Sequence, residues 1–569
     1  MQACEEKIRG FIEGKKQYIV PVFQRPYSWE KKQWQQLWDD VFECYLSEGK
    51  YPHFFGAIVT AAQKNQQEAN NRLSKFILID GQQRLITVQI LLSAIRDRAR
   101  ELKRDSGLAQ EIHEEYLINR HEANRSDDYY KIRPSRVDRS CFYTVVGGIK
   151  KFKKYSHIYK AYHFFRAKIG EHCPTEEELK ELTSTLLVNF KIISISLGAQ
   201  DNPYLIFESL NAKGQPLSQA DLIRNYLLME IPEEEAEIVY DKYWSKIEYE
   251  IRDELTDFLR LFLTKQGLQT KRNEFYFQVK SQVHKRKCQE EGVRLYIEEI
   301  YRFAEYYRKF ITPNEEDDKE ISRCLERIGK LRISSVYSLL LNCYDYRQKG
   351  LIGKEEFVKV CQLLENFLIR RFVCQIDTRE LSDLFPSTCK QINTMVEENQ
   401  LGGGVLLKLL IDKFSERKYP TDASFRESLY GRGIYKHNKK DTVMLILASI
   451  EEYINPEITI KFDNLRVEHI VPEKPDDWWR DYLGQNELDR VRVWINSLGN
   501  LTILEDNIGL KLSPFADRKK CITESKLQLN RYFKNITEWG DKELKERAEY
   551  LADICLEIWP DFRRKNNND

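Results

Sequence analysis

No run of apolar residues approaches the about eighteen that a membrane-crossing helix needs. The N-terminus, MQACEEKIRG, mixes acidic and basic side chains where a secretory signal would carry an apolar core. Both absences lead us to expect a cytoplasmic protein with no membrane partner. The twelve cysteines are scattered and form no C-x-x-C pair, so they read as reduced, mostly buried thiols and not as a zinc site or a disulfide frame. Net charge is nearly missing: 90 Lys and Arg stand against 89 Asp and Glu, leaving +1. That balance argues against a generic polyanion binder but leaves local arrangements open. Basic residues cluster at Lys131, Arg133, Arg136 and Arg139, at Lys150 to Lys154, at His284 to Lys287, and at Arg518, Lys519 and Lys520. Each cluster, taken alone, reads as a solvated face in preference to a phosphate track. There is no internal repeat, and the only low-complexity segment is the Asn-rich tail at 566–568.

What is present fits a globular protein. With 569 residues, 42% of them apolar and 31% charged, the chain has material for two or three domains. The fold class expected is α+β and mostly helical. Phe54 to Val59 and Phe76 to Ile79 are apolar runs of strand length, separated by a polar loop or hairpin at 61–75. From Gln82 the period changes, and Leu85, Val88, Leu92, Ile95 and Ala99 make one helical face. Residues 236–415 read as almost wholly helical, with a break at Gly402, Gly403 and Gly404. The pattern gives three parts: a mixed region over 1–235, a helical connector over 236–415, and a C-terminal part over 416–569. The last returns to strand, loop, strand and helix and closes with a helix over about 541–558.

The most informative stretch is VEHIVPEK…LGNLTILEDNIGLK, residues 467–511. His469 follows Glu468 in an apolar run, and a second apolar run, Leu501 to Leu504, leads to Asn507. A nuclease of the ββα-metal type needs such parts: a His on a rigid strand to activate water, and oxygen or nitrogen ligands to hold a divalent cation against phosphate. The segment therefore suggests phosphodiester hydrolysis. The competing reading is a satisfied buried His. Asn500 is expected to hold the loop through backbone hydrogen bonds, and 473–497, with Trp478, Trp479 and Trp494, to form a packed insertion.

A second constellation lies near the other end. Asp80-Gly81-Gln82-Gln83-Arg84 sits at a strand-to-helix junction, where unsatisfied N–H groups favour anions and Arg84 supplies a planar phosphate fork. Asp80 could orient a water or hold a metal. The alternative is a plain Asp-Gly turn before a helix. Upstream lies Pro21 to Trp29, PVFQRPYSW, in which Tyr27 and Trp29 read equally well as core aromatics. Downstream, Ile206 to Asn225 reads as a helix, a Gly turn and a second helix, capped by Ser218 with Asp221 at its third position.

Together these motifs make the chain resemble the GmrSD-type restriction proteins, with relatives among BREX-associated and phosphorothioate-sensing defence enzymes. The N-terminal marks are PxFQRxYxW, FFGAIV, DGQQRL-T and FExLNxxGxxLxxxDLIRN; the C-terminal marks are EHIVP, LGNLTIL and Asn507. The resemblance implies a ParB/sulfiredoxin-like nucleotidase and DNA-sensing domain over 1–235 and an HNH-like His-Me finger nuclease over 416–569. It places nucleoside triphosphate (GTP or another) at Asp80, Gly81, Gln82, Gln83 and Arg84, with Gln24 and Arg25 as neighbours, and assigns turnover to Asp80 and Arg84. It implies His469 as general base, Glu468 and Asn507 (on the following helix) as ligands of Mg²⁺ or another divalent cation, and Lys511 and Lys519 as phosphate or leaving-group contacts. The implied activity is nucleotide-regulated nicking or cleavage of double-stranded, modified phage DNA. One site cuts one strand, so double-strand cutting requires a homodimer or repeated nicking. The alternatives are a nucleotide-dependent DNA-binding regulator and an NTP-depleting nucleotidase.

Overall fold

The structure is a computed structural model that describes residues 1–563, apart from 23, 48–51, 63–72, 123–125, 149–155, 199–200, 202–217, 232, 272–274, 287–291 and 511–513. Lys511, the Lys150 to Lys154 cluster, the Asn-rich tail and most of the Ile206–Asn225 stretch lie outside the described residues. The chain divides into two compact units, Met1–Ser245 with Val283–Arg294, and Lys246–Gln282 with Leu295–Asp569. The segment 236–415, separated as a connector by its sequence, therefore packs largely with the C-terminal part. The molecule is mostly helical with one larger and one small sheet, as its α+β pattern suggests.

The first unit is built on a mixed sheet. Its strands are β1 (Gln2–Lys7), β2 (Lys16–Ile19), β3 (His53–Ala62), β4 (Ser74–Asp80), β5 (Ile132–Arg133) and β6 (Phe190–Leu197), in the order β1-β6-β3-β4-β2-β5. β3 and β4 pair antiparallel, with Thr60 opposite Leu78, and the two apolar runs are thus neighbours. β3 runs parallel to β6, and β2 runs parallel to both β4 and β5. β4 passes through Gly81 directly into a helix, Gln82–Leu102. That helix is apolar on more than the one face its periodicity indicates. Besides Leu85, Val88, Leu92, Ile95 and Ala99 it buries Ile86, Ile90 and Leu91, and also Gln89, Ser93 and Arg96. A helix enclosed on all sides can carry polar residues only if each is bonded. Gln89 donates to the Tyr116 carbonyl at 2.7 Å, Ser93 to the Gln89 carbonyl at 2.8 Å, and Arg96 to the Val145 carbonyl at 3.0 Å. Lys131, expected on a solvated face, is buried, with its ammonium on the Gly14 carbonyl. Burial lowers its pKa to about 8.

The second unit is helical except for a hairpin of β7 (Leu465–His469) and β8 (Leu501–Glu505). Gly402 caps a helix, Gly403–Ser415, and the closing helix spans Asp541–Ile558. A buried ionic network ties the helices. Arg327 makes a two-pronged contact with Glu365 at 2.7 and 2.6 Å and reaches Glu452 at 3.1 Å and Ser449 at 2.8 Å. Glu365 also accepts the Trp559 indole N–H at 2.9 Å. Arg370, fully buried, donates to the Trp559 carbonyl and to Asp422, both at 2.8 Å. These residues come from 319–373, 422–452 and 559, which explains why the middle and C-terminal segments share one body.

Removing one partner from a buried ion pair leaves the other charge uncompensated. Arg327→Met should therefore destabilise the second unit by about 3 kcal/mol. The check is thermal melting together with hydrogen exchange in 319–330 and 440–454, both of which should shift; unchanged exchange there would contradict the assignment.

Candidate functional site

The DGQQR junction is shaped by two glycines. Gly81 adopts φ +93°, and a Cβ on it would come within 2.9 Å of Ile58 Cγ1. Gly56 lies beside a register shift in β3 at φ +110°, and a Cβ there would meet the Arg84 guanidinium. The two positions let β3 approach the helix start closely enough for Arg84 to dock. Its Nη2 donates to the Ala57 carbonyl at 2.6 Å and to Asp80 Oδ2 at 3.3 Å. Arg84 Nε is buried and has no hydrogen-bond partner among the described residues.

The glutamines act on backbone. Gln24 donates to the carbonyls of Leu78 and Ile79 at 2.6 and 2.8 Å. Gln82 donates to the Arg25 carbonyl and Gln83 to the Pro26 carbonyl, both at 3.2 Å, while Gln83 accepts from the Ser28 N–H at 2.8 Å. All three are buried. The structure thus brings Gln24, Arg25, Gly81, Asp80, Gln82, Gln83 and Arg84 into one place. There the amides of Gln24, Gln82 and Gln83 fix the Pro21–Trp29 loop against β4 and the helix start. Tyr27 is a core residue: its hydroxyl pairs with Thr87 at 2.8 Å and accepts the Trp34 indole N–H at 2.9 Å. The groups that remain to meet an anion are Arg84 and the first N–H groups of the helix.

The second constellation centres on the end of β7. Glu468 pairs with Thr502 and His469 with Leu501 across the hairpin. Asn500, fully buried, accepts the Val471 N–H at 2.8 Å and donates to the carbonyls of Val471 and Ile495 at 2.9 and 2.8 Å. It holds the loop through backbone, as its position in LGN suggested. Gly499 is required because the closing helix presses on it: a Cβ would lie 2.3 Å from the Leu544 carbonyl. From the same helix the buried Arg547 donates to the carbonyls of Gly499 and Leu501, both at 2.7 Å. Burial lowers the Arg547 pKa to about 9, which still leaves it a cation near neutrality.

His469 is nearly buried, and its Nε2 lies 2.9 Å from Asn496 Oδ1 and 3.9 Å from Glu473 Oε1. With Nε2–H donating to that oxygen, Nδ1 carries the lone pair. Burial lowers the His469 pKa below its ordinary value, against the opposing influence of Asn496, Glu473 and Glu468. The ring is further confined by Tyr435, edge-on at 4.7 Å between centroids. Asn496 is itself fixed, since its carbonyl accepts the N–H groups of Ile434 and Tyr435 at 2.8 and 3.1 Å. Arg518, expected on a solvated face, is buried and donates to the His469 carbonyl. Asn496, Glu473, Tyr435 and Arg518 carried no signal as site residues in the sequence, because only the fold brings them to His469.

One expected position differs. Asn507 lies exposed in the turn after β8, before Gly509 and Pro514, and the next helix begins only at Phe515. It is therefore not on that helix. Lys519 is on the helix, and its ammonium donates to the Ile536 carbonyl at 2.8 Å. Glu468 accepts from Arg466 Nε at 2.8 Å, and the same guanidinium takes the carbonyls of Glu505 at 3.2 Å, Asp506 at 2.9 Å and Ile508. Arg466 thus stands as a cation gathering oxygens from Glu468 and the turn that bears Asn507. Oxygen donors around a positive charge suit a hard divalent ion in type and sign. Among the described residues no group of three or more His, Cys, Asp and Glu side chains could hold a metal. The helix Asp477–Trp494, bent at Gly484, lies in the connection from β7 to β8 and buries Trp479 against Phe515.

A buried His at the end of a hairpin strand in one unit, and a strand-to-helix junction on a mixed sheet in the other, are the features to set beside known families. Residues 8–228 match the GmrSD restriction endonuclease N-terminal domain, and residues 419–554 match the GmrSD restriction endonucleases C-terminal domain. The chain belongs to the GmrSD restriction endonuclease family. As a restriction endonuclease it acts on DNA in defence. A comparison with curated proteins finds no match. Among the described residues no helix is long and apolar enough to cross a membrane.

Asn500→Ala should leave His469 in the chain but let its strand end move. A displacement of about 1 Å can cost roughly 10²-fold in rate. Nicking should fall by about that factor while hydrogen exchange at Val471 accelerates; parental nicking with faster exchange would separate the clamp from the chemistry.

Proposed function

We propose that the chain is a metal-dependent, HNH-type DNA endonuclease regulated by nucleoside triphosphate bound at the DGQQR junction. The observation that carries this reading is the state of His469: nearly buried, with its pKa lowered, and with Nε2 2.9 Å from Asn496 Oδ1, a geometry that suits Nδ1 as the basic atom. An imidazole kept neutral near pH 7 and held on a rigid strand end suits the removal of a proton from an attacking water. Asn496 orients the ring, and Asn500 and Arg547 keep the strand end in place. Glu468 and Asn507 would hold Mg²⁺ or another divalent cation once Arg466 yields Glu468. When bound, that ion supplies charge stabilisation at the phosphate. Lys519, on the helix Phe515–Glu524, would offer a cation to phosphate once it leaves the Ile536 carbonyl.

At the other constellation, the unpartnered Arg84 Nε supports phosphate recognition, with Asp80 placed to orient the guanidinium. We assign NTP binding and hydrolysis there and infer that it adjusts cleavage of modified phage DNA in the cytoplasm. A chain with one such nuclease site nicks; a homodimer would cut both strands.

His469→Ala should lower plasmid nicking by about 10²–10⁴-fold, the usual contribution of a general base, and leave NTP turnover intact. Parental nicking by this variant would remove His469 from the role. The parental pH–rate profile should have its acid limb below the ordinary imidazole value of 6.5, since the lowered pKa keeps the base form populated to lower pH. Asn496→Asp should move that limb upward, because a carboxylate stabilises the imidazolium; a limb that stays in place would mean another group is being titrated. Arg84→Lys should impair NTP turnover, since a point charge cannot reproduce the planar fork. Undiminished turnover would place the nucleotide elsewhere.

A further inference from the structure

The region between the two matched domains, 229–418, has no counterpart in either family match. Within the second unit it contributes most of the wall of a cavity of about 280 Å³. Three cations line it, Arg260, Arg332 and Lys439, and so do the hydroxyl residues Ser334, Ser335 and Thr378. Among the described residues no carboxylate lines it. Two of the cations have carboxylate neighbours outside the lining. Asp257 stands 3.8 Å from Arg260 Nε, too far for a hydrogen bond, and Asp441 takes Nε of Arg332. The terminal amino groups of Arg332 have no hydrogen bond among the described residues.

Arg332 follows the helix Lys319–Lys330 and adopts φ +52°. The same left-handed turn ends the helices before Gln375, Asn399 and Lys418. The turn sets Arg332 at the cavity rim, with its side chain 68% exposed. Three cations, several hydroxyl donors and no lining carboxylate are the chemistry of an oxyanion with several acceptor oxygens.

We infer that this cavity is a phosphate-binding site, distinct from both candidate sites described above. Its volume lies just below the roughly 300–1,000 Å³ of common small-molecule pockets. It therefore takes a free phosphate, the phosphate chain of a nucleotide or the phosphorylated end of a strand, and not a duplex.

The test is hydrogen exchange by mass spectrometry on the full chain, with inorganic phosphate, ATP and a short 5′-phosphorylated DNA strand as probes. A probe at ten times its dissociation constant should slow exchange about tenfold at 332–338 and 377–386. The probe acting at the lowest concentration identifies the source of the phosphate. Sodium chloride at matched ionic strength should have no such effect. Arg260→Glu combined with Lys439→Glu should abolish the slowing, and Arg260→Lys with Lys439→Arg should retain it. If the reversed chain does not fold, Lys439→Gln alone must still weaken the response several-fold. No slowing with any probe, equal slowing by chloride, or slowing undiminished by the charge changes overturns the site. Because the readout is confined to these segments, it is indifferent to whether Arg84 binds nucleotide.

Discussion

Both candidate sites stand on irregular backbone, and irregular backbone carries carbonyl groups that no ladder or helix satisfies. Leaving one buried and unpaired costs about 1–3 kcal/mol. The chain meets that constraint with buried amides and guanidinium groups. Gln24, Gln82, Gln83 and Arg84 take the carbonyls around β4, the Pro21–Trp29 loop and β3. Asn500, Arg547 and Arg518 take those around the end of β7 and the start of β8. Without them neither the DGQQR junction nor the His469 strand end has a defined position. Each of these side chains is thus part of the frame before any ligand arrives.

This has a bearing on the family signatures. PxFQR, DGQQR and LGNLTIL look like inventories of reactive groups, yet most of their members serve the backbone. Gly499 exists to let a helix lie against it, and Asn500 brackets Val471 from both sides. In LTIL, Thr502 donates to Asn530, whose amide returns to the Ile503 carbonyl at 2.9 Å. Arg84 does both kinds of work: Nη2 holds the Ala57 carbonyl while Nε stays without a partner among the described residues.

Much of the architecture was legible because it is local. The β3–β4 hairpin follows from two apolar runs, the change of period at Gln82 marks the helix start, and the closing helix over 541–558 is where its pattern lies. The role of Asn500 could be read from its place between two apolar strands. What sequence could not show depends on contacts between distant segments. Asn496 and Tyr435 reach His469 only because 433–435 crosses beside 496–497. A run of three basic residues does not reveal that Arg518 turns inward while Lys520 stays exposed. The resemblance puts Asn507 on the following helix, but that helix begins only at Phe515, past Gly509 and Pro514.

The dependence of Gly499 and Leu501 on Arg547 also orders events in time. A ribosome makes the hairpin strands well before it makes the helix that backs them. Until Asp541–Ile558 has left the exit tunnel, the carbonyls of Gly499 and Leu501 lack their guanidinium, and Asn500 has no wall behind it. A nascent or prematurely terminated chain would thus carry His469 without the frame that positions it. The hairpin therefore gains its fixed backbone late, only once residues 541–558 are made and folded against it.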